Sequence, residues 1–338
     1  MQQTIQAVPG PARSTRPAFV AEWLGMNLGR KKRALELAGP GGSVAMRRYL
    51  SLSLLALTAL CTGCLRDLRP SDARSEIDTA SAERGRALLR QSAEAHGVDA
   101  WSEYRTTTVR MRDDWDSMMA SMMGMTPPWD VEELIDFSWI NGTFDGAFRF
   151  ANGEREGEAL GLQAWNSYEG TAGHEVFHDE EDQDGDARFM VPAFIYLLEL
   201  PFRIADVPVV RDLGDAELFG RTHHRVYASW SNEPSSDHDQ FVVHIDAETH
   251  LVRMVEYTIR DQFNFVRGTS TYSQHIRVRG VTVPTRMAVN IRPRENHDER
   301  YSHRAVLWNW AFDAVDELAL LPGTDRGGSQ DAKPVDTH

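Results

Sequence analysis

The sequence predicts a mainly β (α+β) domain: one strongly curved antiparallel sheet with helices covering one side. Three observations predict it. Asn141-Gly142 separates two aromatic-rich runs, FSWI and TFDGAFRF, and Asn-Gly is the strongest short hairpin signal because both residues tolerate positive φ. Strand-like runs of β-branched and aromatic residues recur to the end of the domain, closing on RYSHRAVLWNWAFD at 300–313. Only two stretches carry helical spacing.

The chain opens on a leader. Met46 is followed by Arg47 and Arg48, an apolar run from Tyr49 to Leu60, and Cys61-Thr62-Gly63-Cys64. Basic residues, a short apolar run and a small-residue cleavage site make a secretory signal. The run is well short of the roughly 20 residues a spanning helix needs. Its end resembles the bacterial lipobox, in which a small residue precedes the cysteine that is lipidated. Gly63 fits; Cys61 departs, since leucine usually stands there. Residues 46–63 therefore read as a lipoprotein signal peptide and Cys64 as the lipidated residue. Residues 1–45 read as a leader or a mis-assigned start. Leu65 stands where an aspartate would favour inner-membrane retention, so the expectation is an exported protein, lipid-anchored in the cell envelope at an outer membrane and facing the periplasm.

Removing the leader changes the charge. Residues 1–63 carry eight Lys or Arg and two Asp or Glu, so a formal charge of −14 becomes −20 for residues 64–338. Such a surface repels nucleic acid and anionic headgroups, which leaves membrane attachment to the lipid. Both cysteines lie in the signal region, so the mature domain has neither a disulfide nor a reactive thiol.

Residues 64–82 read as a flexible tether and 319–338 as a disordered tail, with one domain at 83–318 between them. Ser81 is placed to cap an opening helix, with Ala87, Leu88, Gln91 and Ala95 at helical spacing and Gly97 as the stop. Thr106 to Trp115 reads as the first strand. Leu134 to Phe150 reads as a hairpin across Asn141-Gly142. A helix at 187–200, apolar at Phe189, Phe194, Leu197 and Leu198 and ended by Pro201, interrupts the strands. Gln240 to Asp246 alternates and turns at 247–250 into a strand from Leu251 to Arg260. A further hairpin joins 269–278 to 282–292 across Arg279-Gly280, and Arg300 to Asp313 closes the sheet. A curved sheet closed by helices encloses a cavity, the usual place for a ligand.

Four stretches give the chain a family likeness. They are the helix ending in His96-Gly97 and running to Trp101; the helix leading into Leu200-Pro201-Phe202; Phe219-Gly220-Arg221 with Asp246-Ala247-Glu248-Thr249-His250-Leu251; and Val278-Arg279-Gly280-Val281-Thr282-Val283-Pro284. Over most of residues 83–312 the pattern resembles the outer-membrane lipoprotein carrier superfamily (LolA/LolB-like). That resemblance implies an unclosed β-barrel with helices covering an apolar cavity. A carrier is usually soluble, so a lipid-anchored member is closer to the receptor-type or uncharacterised members.

The most unusual local feature is Met118-Met119-Ala120-Ser121-Met122-Met123-Gly124-Met125, flanked by Trp115 and Trp129. Methionine is flexible and polarisable and suits surfaces that accept varied apolar ligands. Three readings stay open: a packed apolar loop, a flap touching acyl chains, or thioether ligands for Cu(I). Between Trp101 and Asn152 there is no histidine to support copper. In the acidic run 179–186, Glu180, Asp182 and Asp184 mimic a calcium loop. The last ligand position falls on Val191, so a solvated turn is the better reading. His174, His178, His223, His224, His238, His244, His250 and His275 read as scattered surface residues. Asp113 and Asp114, adjacent on a strand, face opposite ways. No nucleophile elbow, HExxH, P-loop or dinucleotide fingerprint occurs.

The expectation is a non-enzymatic envelope lipoprotein, without cofactor or bound metal, that holds a lipid, acyl chain or lipidated partner. Its guessed contacts are Trp115, Met118, Met119, Met122, Met123, Met125, Trp129 and Phe194. The alternatives are an envelope metal-binding (copper or calcium) lipoprotein and a structural adaptor with a filled core.

Overall fold

The computed structural model describes residues 68–70, 79–115, 129, 132–179, 184–231, 238–259, 263–290, 301, 303–320 and 322. The chain divides into two compact units, Arg66–Thr258 with Val266–His338, and Met1–Leu65 with Ile259–Phe265. Of the second, only the strand ends at 259 and 263–265 are described.

Helix α1 (Thr79–His96) passes through Gly97 into the short α2 (Val98–Ser102). Strands β1 (Thr106–Trp115), β2 (Ile135–Ile140), β3 (Gly146–Phe150), β4 (Glu158–Gln163), β5 (Asn166–Thr171) and β6 (Val176–Phe177) follow. Helices α3 (Gly185–Leu198) and α4 (Leu200–Arg203) then lead to β7 (Val209–Leu218), β8 (Arg221–Ser229), β9 (Gln240–Asp246), β10 (Val252–Ile259) and β11 (Phe263–Ser273). A small hairpin, β12 (Ile276–Val278) and β13 (Val281–Val283), precedes β14 (Arg286–Asn290), β15 (His303–Phe312) and a 3-10 turn at Glu317–Leu320.

Thirteen strands form one curved, open sheet in the order β6-β5-β4-β3-β2-β1-β15-β14-β11-β10-β9-β8-β7. The chain starts in its middle, meanders to one edge, crosses by α3 and α4 to the other edge, and returns to pair β15 with β1. Antiparallel meandering sorts the connections. Tight turns lie at one end: 141–145, Ala164-Trp165, Phe219-Gly220 and 247–251. The strand ends at Trp115, Ile135, Ser229, Gln240, Asn290 and His303 lie at the other.

Register sets the core. Trp115 faces His303 across β1 and β15, Met111 faces Leu307, and Phe137 faces Phe148 across β2 and β3. Directly opposite residues share a face, so these side chains fill the concave side together with Val191, Phe194 and Ile195 of α3, all buried. Asp184 starts α3 by accepting the Ala187 N–H at 2.8 Å, an N-cap. On the convex side Arg110 holds Asp136 by two 2.7 Å bonds. Beside them Tyr168 reaches over Gly161 to donate to the Leu320 carbonyl at 2.7 Å. A Cβ on Gly161 would lie 2.1 Å from that ring, so the position is confined to glycine.

Several expectations need correction. Helix α1 begins before Ser81, which is buried inside it and donates to the Asp212 carbonyl at 3.0 Å. Its inward residues are Gly85, Leu89, Ser92, Ala93 and His96. Ala87 and Gln91 are exposed, because close packing against β7 selects small residues over the most apolar stripe. At Asn141-Gly142 only Gly142 has positive φ, so the connection is five residues long and not a two-residue turn. The 269–292 hairpin is two nested units, broken where Gln274 takes a φ of 52°. Pro201 lies within α4 and does not end α3. Strand β9 is buried on both faces, since its outward His244 and Asp246 are covered by partners Glu256 and Arg221. Strands β4, β5 and β7 gave no clear sequence signal: glycine, alanine and charged residues occupy much of them.

Candidate functional site

Asp113 lies at the centre of the most unusual arrangement in the domain. Its strand alternates Val109, Met111, Asp113 on the apolar face, so the carboxylate is carried into the core and is 1% exposed. Three N–H groups meet it. The indoles of Trp115 and Trp129 donate to Oδ2 at 2.6 and 3.1 Å, and Nε2 of His303 bonds Oδ1. A carboxylate only accepts, so each partner is a donor. His303 is sandwiched: Trp115 stacks on it at 4.4 Å, and Phe194 meets it edge-on at 5.3 Å. Trp129 continues the cluster to Phe148 at 4.8 Å and Phe194 at 6.5 Å. On the opposite face of β1, Asp114 binds Arg304 at 3.0 Å and Tyr301. The expectation that the two aspartates part company holds.

Of the predicted contacts, the structure brings Trp115, Trp129 and Phe194 into one cluster. Met118, Met119, Met122, Met123 and Met125 lie outside the described residues, as do Cys64, Glu180 and Asp182. Asp184 serves as a helix cap. Sequence reasoning missed Asp113 and His303 as a pair, although alternation in RYSHRAVLWNWAFD already placed His303 on the same face as Ala305 and Leu307. An aspartate and a histidine each on an apolar strand face was the available signal.

A second polar centre is the joint between α1 and the sheet. His96, 2% exposed, accepts the Val252 N–H at Nε2 (3.1 Å) and donates from Nδ1 to the Thr282 carbonyl (2.9 Å). That bonding fixes a neutral ring, and burial lowers its pKa to about 4 against the opposing pull of Thr282. Gly97, at φ 86°, packs against the turn at Gly280; a Cβ there would lie 2.2 Å from the Gly280 carbonyl oxygen. His96, Pro201, Phe202, Val252, His275, Thr282 and Pro284 line a cleft of about 10 Å³, room for a single water. Both nitrogens of His275 face this interior unpartnered, and burial, with His96 nearby, lowers its pKa to about 3. Three of the four stretches singled out in the sequence, at His96-Gly97, Pro201-Phe202 and Thr282-Val283-Pro284, thus meet here as a structural joint.

The other histidines do not form one class. His223 and His244 are buried, contrary to a scatter of surface residues. Burial and then Arg225 and Arg267 lower the His244 pKa to about 4. Its 2.9 Å contact with Glu256 is therefore a hydrogen bond from a neutral ring, and Arg267 supplies the charge partner. Glu199, 1% exposed, accepts from Trp139 at 2.7 Å and pairs with Arg203 at 2.6 Å. Burial raises its pKa, with Arg203 opposing. No group of three or more His, Cys, Asp or Glu that could hold a metal occurs among the described residues.

No protein-family model matches the chain, and no curated protein does. Solved structures similar to it include a DUF1329 family protein from Desulfovibrio piger, at 12% identity and TM-score 0.41, covering 71% of this chain and 97% of that one. A LolA superfamily protein from Nitrosomonas europaea matches at 9% identity and TM-score 0.39, covering 70% and 97%. The lipoprotein LppX from Mycobacterium tuberculosis matches at 10% identity and TM-score 0.23, covering 68% and 97%. The fold itself, an open and strongly curved antiparallel sheet, follows from the strand order and register above.

Proposed function

We propose that this chain is an envelope lipoprotein, anchored through Cys64 and without catalytic activity, that binds an acyl chain of a lipid or lipidated partner at the Trp115–Trp129–Phe194 cluster. One observation carries the reading: Trp115 and Trp129 are pinned to one carboxylate oxygen. Trp115 and Trp129, which flank the methionine-rich stretch in sequence, therefore meet at a single aromatic patch. In this reading Met118, Met119, Met122, Met123 and Met125 contact the ligand, and the two indoles and Phe194 form its floor. The concave face is filled by α3, so a long chain enters by displacing side chains at this patch rather than by filling an open cavity.

Native mass spectrometry of the full lipidated protein extracted from membranes tests the proposal. The expected result is a co-purified lipid mass, lost when the five methionines are replaced by serine. A copper or calcium mass would favour a metal-binding protein. A bare protein mass would favour an adaptor whose core is simply filled, and either outcome overturns lipid binding.

A further inference from the structure

We infer that the end of the sheet carrying Gln240 and Trp230 faces the bilayer, held there by a tether docked onto the domain. The inference rests on the reading of Cys64 as the lipidated residue. The backbone N–H of Leu68 donates to Oε1 of Gln240 at 2.7 Å. Gln240 is a fixed point: it is 2% exposed, and its own N–H is held by the Thr258 hydroxyl at 2.9 Å. Four residue steps separate Cys64 from Leu68. At a maximum of about 3.3–3.6 Å per residue, they span no more than about 14 Å. A domain that would otherwise swing on a tether of residues 64–82 is leashed at its fifth residue. The surface around Gln240 cannot leave the headgroup region.

The residues at that surface suit the placement. Trp230, directly after β8 and 37% exposed, rests on Tyr196 and Phe241 at 5.8 Å each. An indole held edge-on against protein rings and partly open is a side chain at home between headgroups and water. The cluster of Trp115 and Trp129 lies at the same end of the sheet, because β1 ends there as β9 begins. The opposite end carries charge: Arg221 pairs with Asp246 at 3.2 Å and with Glu248, whose side chain is 79% exposed. Glu233, Asp237 and Asp239 follow Trp230 in sequence, so apposition comes from the leash and the indole, not from attraction to anionic lipid. The ligand patch is thereby presented to the membrane from which an acyl chain would come.

Two single-thiol variants of the full lipidated chain test this, His238→Cys beside Gln240 and Glu248→Cys at the far turn of the same hairpin. Each carries the sole free thiol, since Cys61 leaves with the signal and Cys64 is acylated. A nitroxide on each is read in phosphatidylcholine vesicles containing a lipid-linked nickel chelate. Seven residues of strand put roughly 20 Å between the two labels, so relaxation at 238 should exceed that at 248 about fivefold or more. Gln240→Ala, with folding checked by circular dichroism, should bring the ratio toward one. A ratio of one or below in the unaltered background, with acyl chains present on Cys64 by mass spectrometry, overturns the orientation alone. Absence of acyl chains together with failure to bind vesicles overturns the lipidation reading and the orientation with it.

Discussion

Trp115 and Trp129 donate their indole N–H groups to the same oxygen, Oδ2 of Asp113, at 2.6 and 3.1 Å. His303 occupies the other oxygen, so a single carboxylate ties the two ends of one long connection to the last strand.

Removing that carboxylate strands three buried donors. Asp113→Ala should destabilise the domain by about 3–5 kcal/mol, the range for breaking a buried charged partnership. Trp115→Phe keeps the ring stacked on His303 and loses one bond, at about 1–2 kcal/mol. Urea denaturation followed by circular dichroism compares the two; equal costs would show that the carboxylate is not the hub.

Acid should unfold the protein through its buried neutral histidines. His96 and His244 have folded pKa values lowered to about 4, and His275 to about 3, from an ordinary 6.5. Between those values and 6.5 the unfolded chain binds more protons than the folded one. Stability is therefore complete above pH 6.5 and declines as pH falls toward 4. His96 alone contributes on the order of 3 kcal/mol to that decline. Urea midpoints measured from pH 7.5 to 4 should fall steadily, and His96→Gln should flatten part of the slope.

Gly97 combines a left-handed backbone with a contact that leaves no space for a methyl group. Gly97→Ala should cost about 3 kcal/mol or more. For a domain of this size that lowers the Tm by about 10 °C. Ala100→Gly, which makes room only for a side chain at Gly280, should not rescue it, because the Gly97→Ala clash is with the Gly280 backbone.

Phe194 meets Trp129, Phe137, Phe148 and His303. Phe194→Ala should cost about 3–5 kcal/mol by leaving a cavity. If the patch accepts acyl chains, added fatty acid should recover part of that loss in a thermal scan. Equal stabilisation of the unaltered protein and the variant by fatty acid would mean that chains bind elsewhere.

The strands with the strongest alternation or turn chemistry were legible: β1 to its exact ends, the β9–β10 turn, and the Arg279-Gly280 turn with both residues at positive φ. What sequence concealed was long-range company. Asp113 and His303 are 190 positions apart, and nothing local to either announces the other. Helix α1 misled because Gly85 and Ser92 face inward: a close approach to β7, where a Cβ on Gly85 would lie 2.7 Å from Val210, excludes the larger apolar side chains that periodicity weighs. Trp115, Trp129 and Phe194 were named for their chemistry as guessed ligand contacts, and the fold places them in one cluster around Asp113 and His303.

The pairing of β1 with β15 also sets a timetable. Strands made early, β1 to β6, cannot complete the sheet until the last strand has been synthesised and threaded beside the first. Closing so long a loop is entropically slow, and until then Met111, Phe137 and their neighbours have an uncovered strand edge beside them. If the chain is exported, as the reading of Cys64 proposes, the delay has a use: the polypeptide would cross a membrane end-first before its central seam could form.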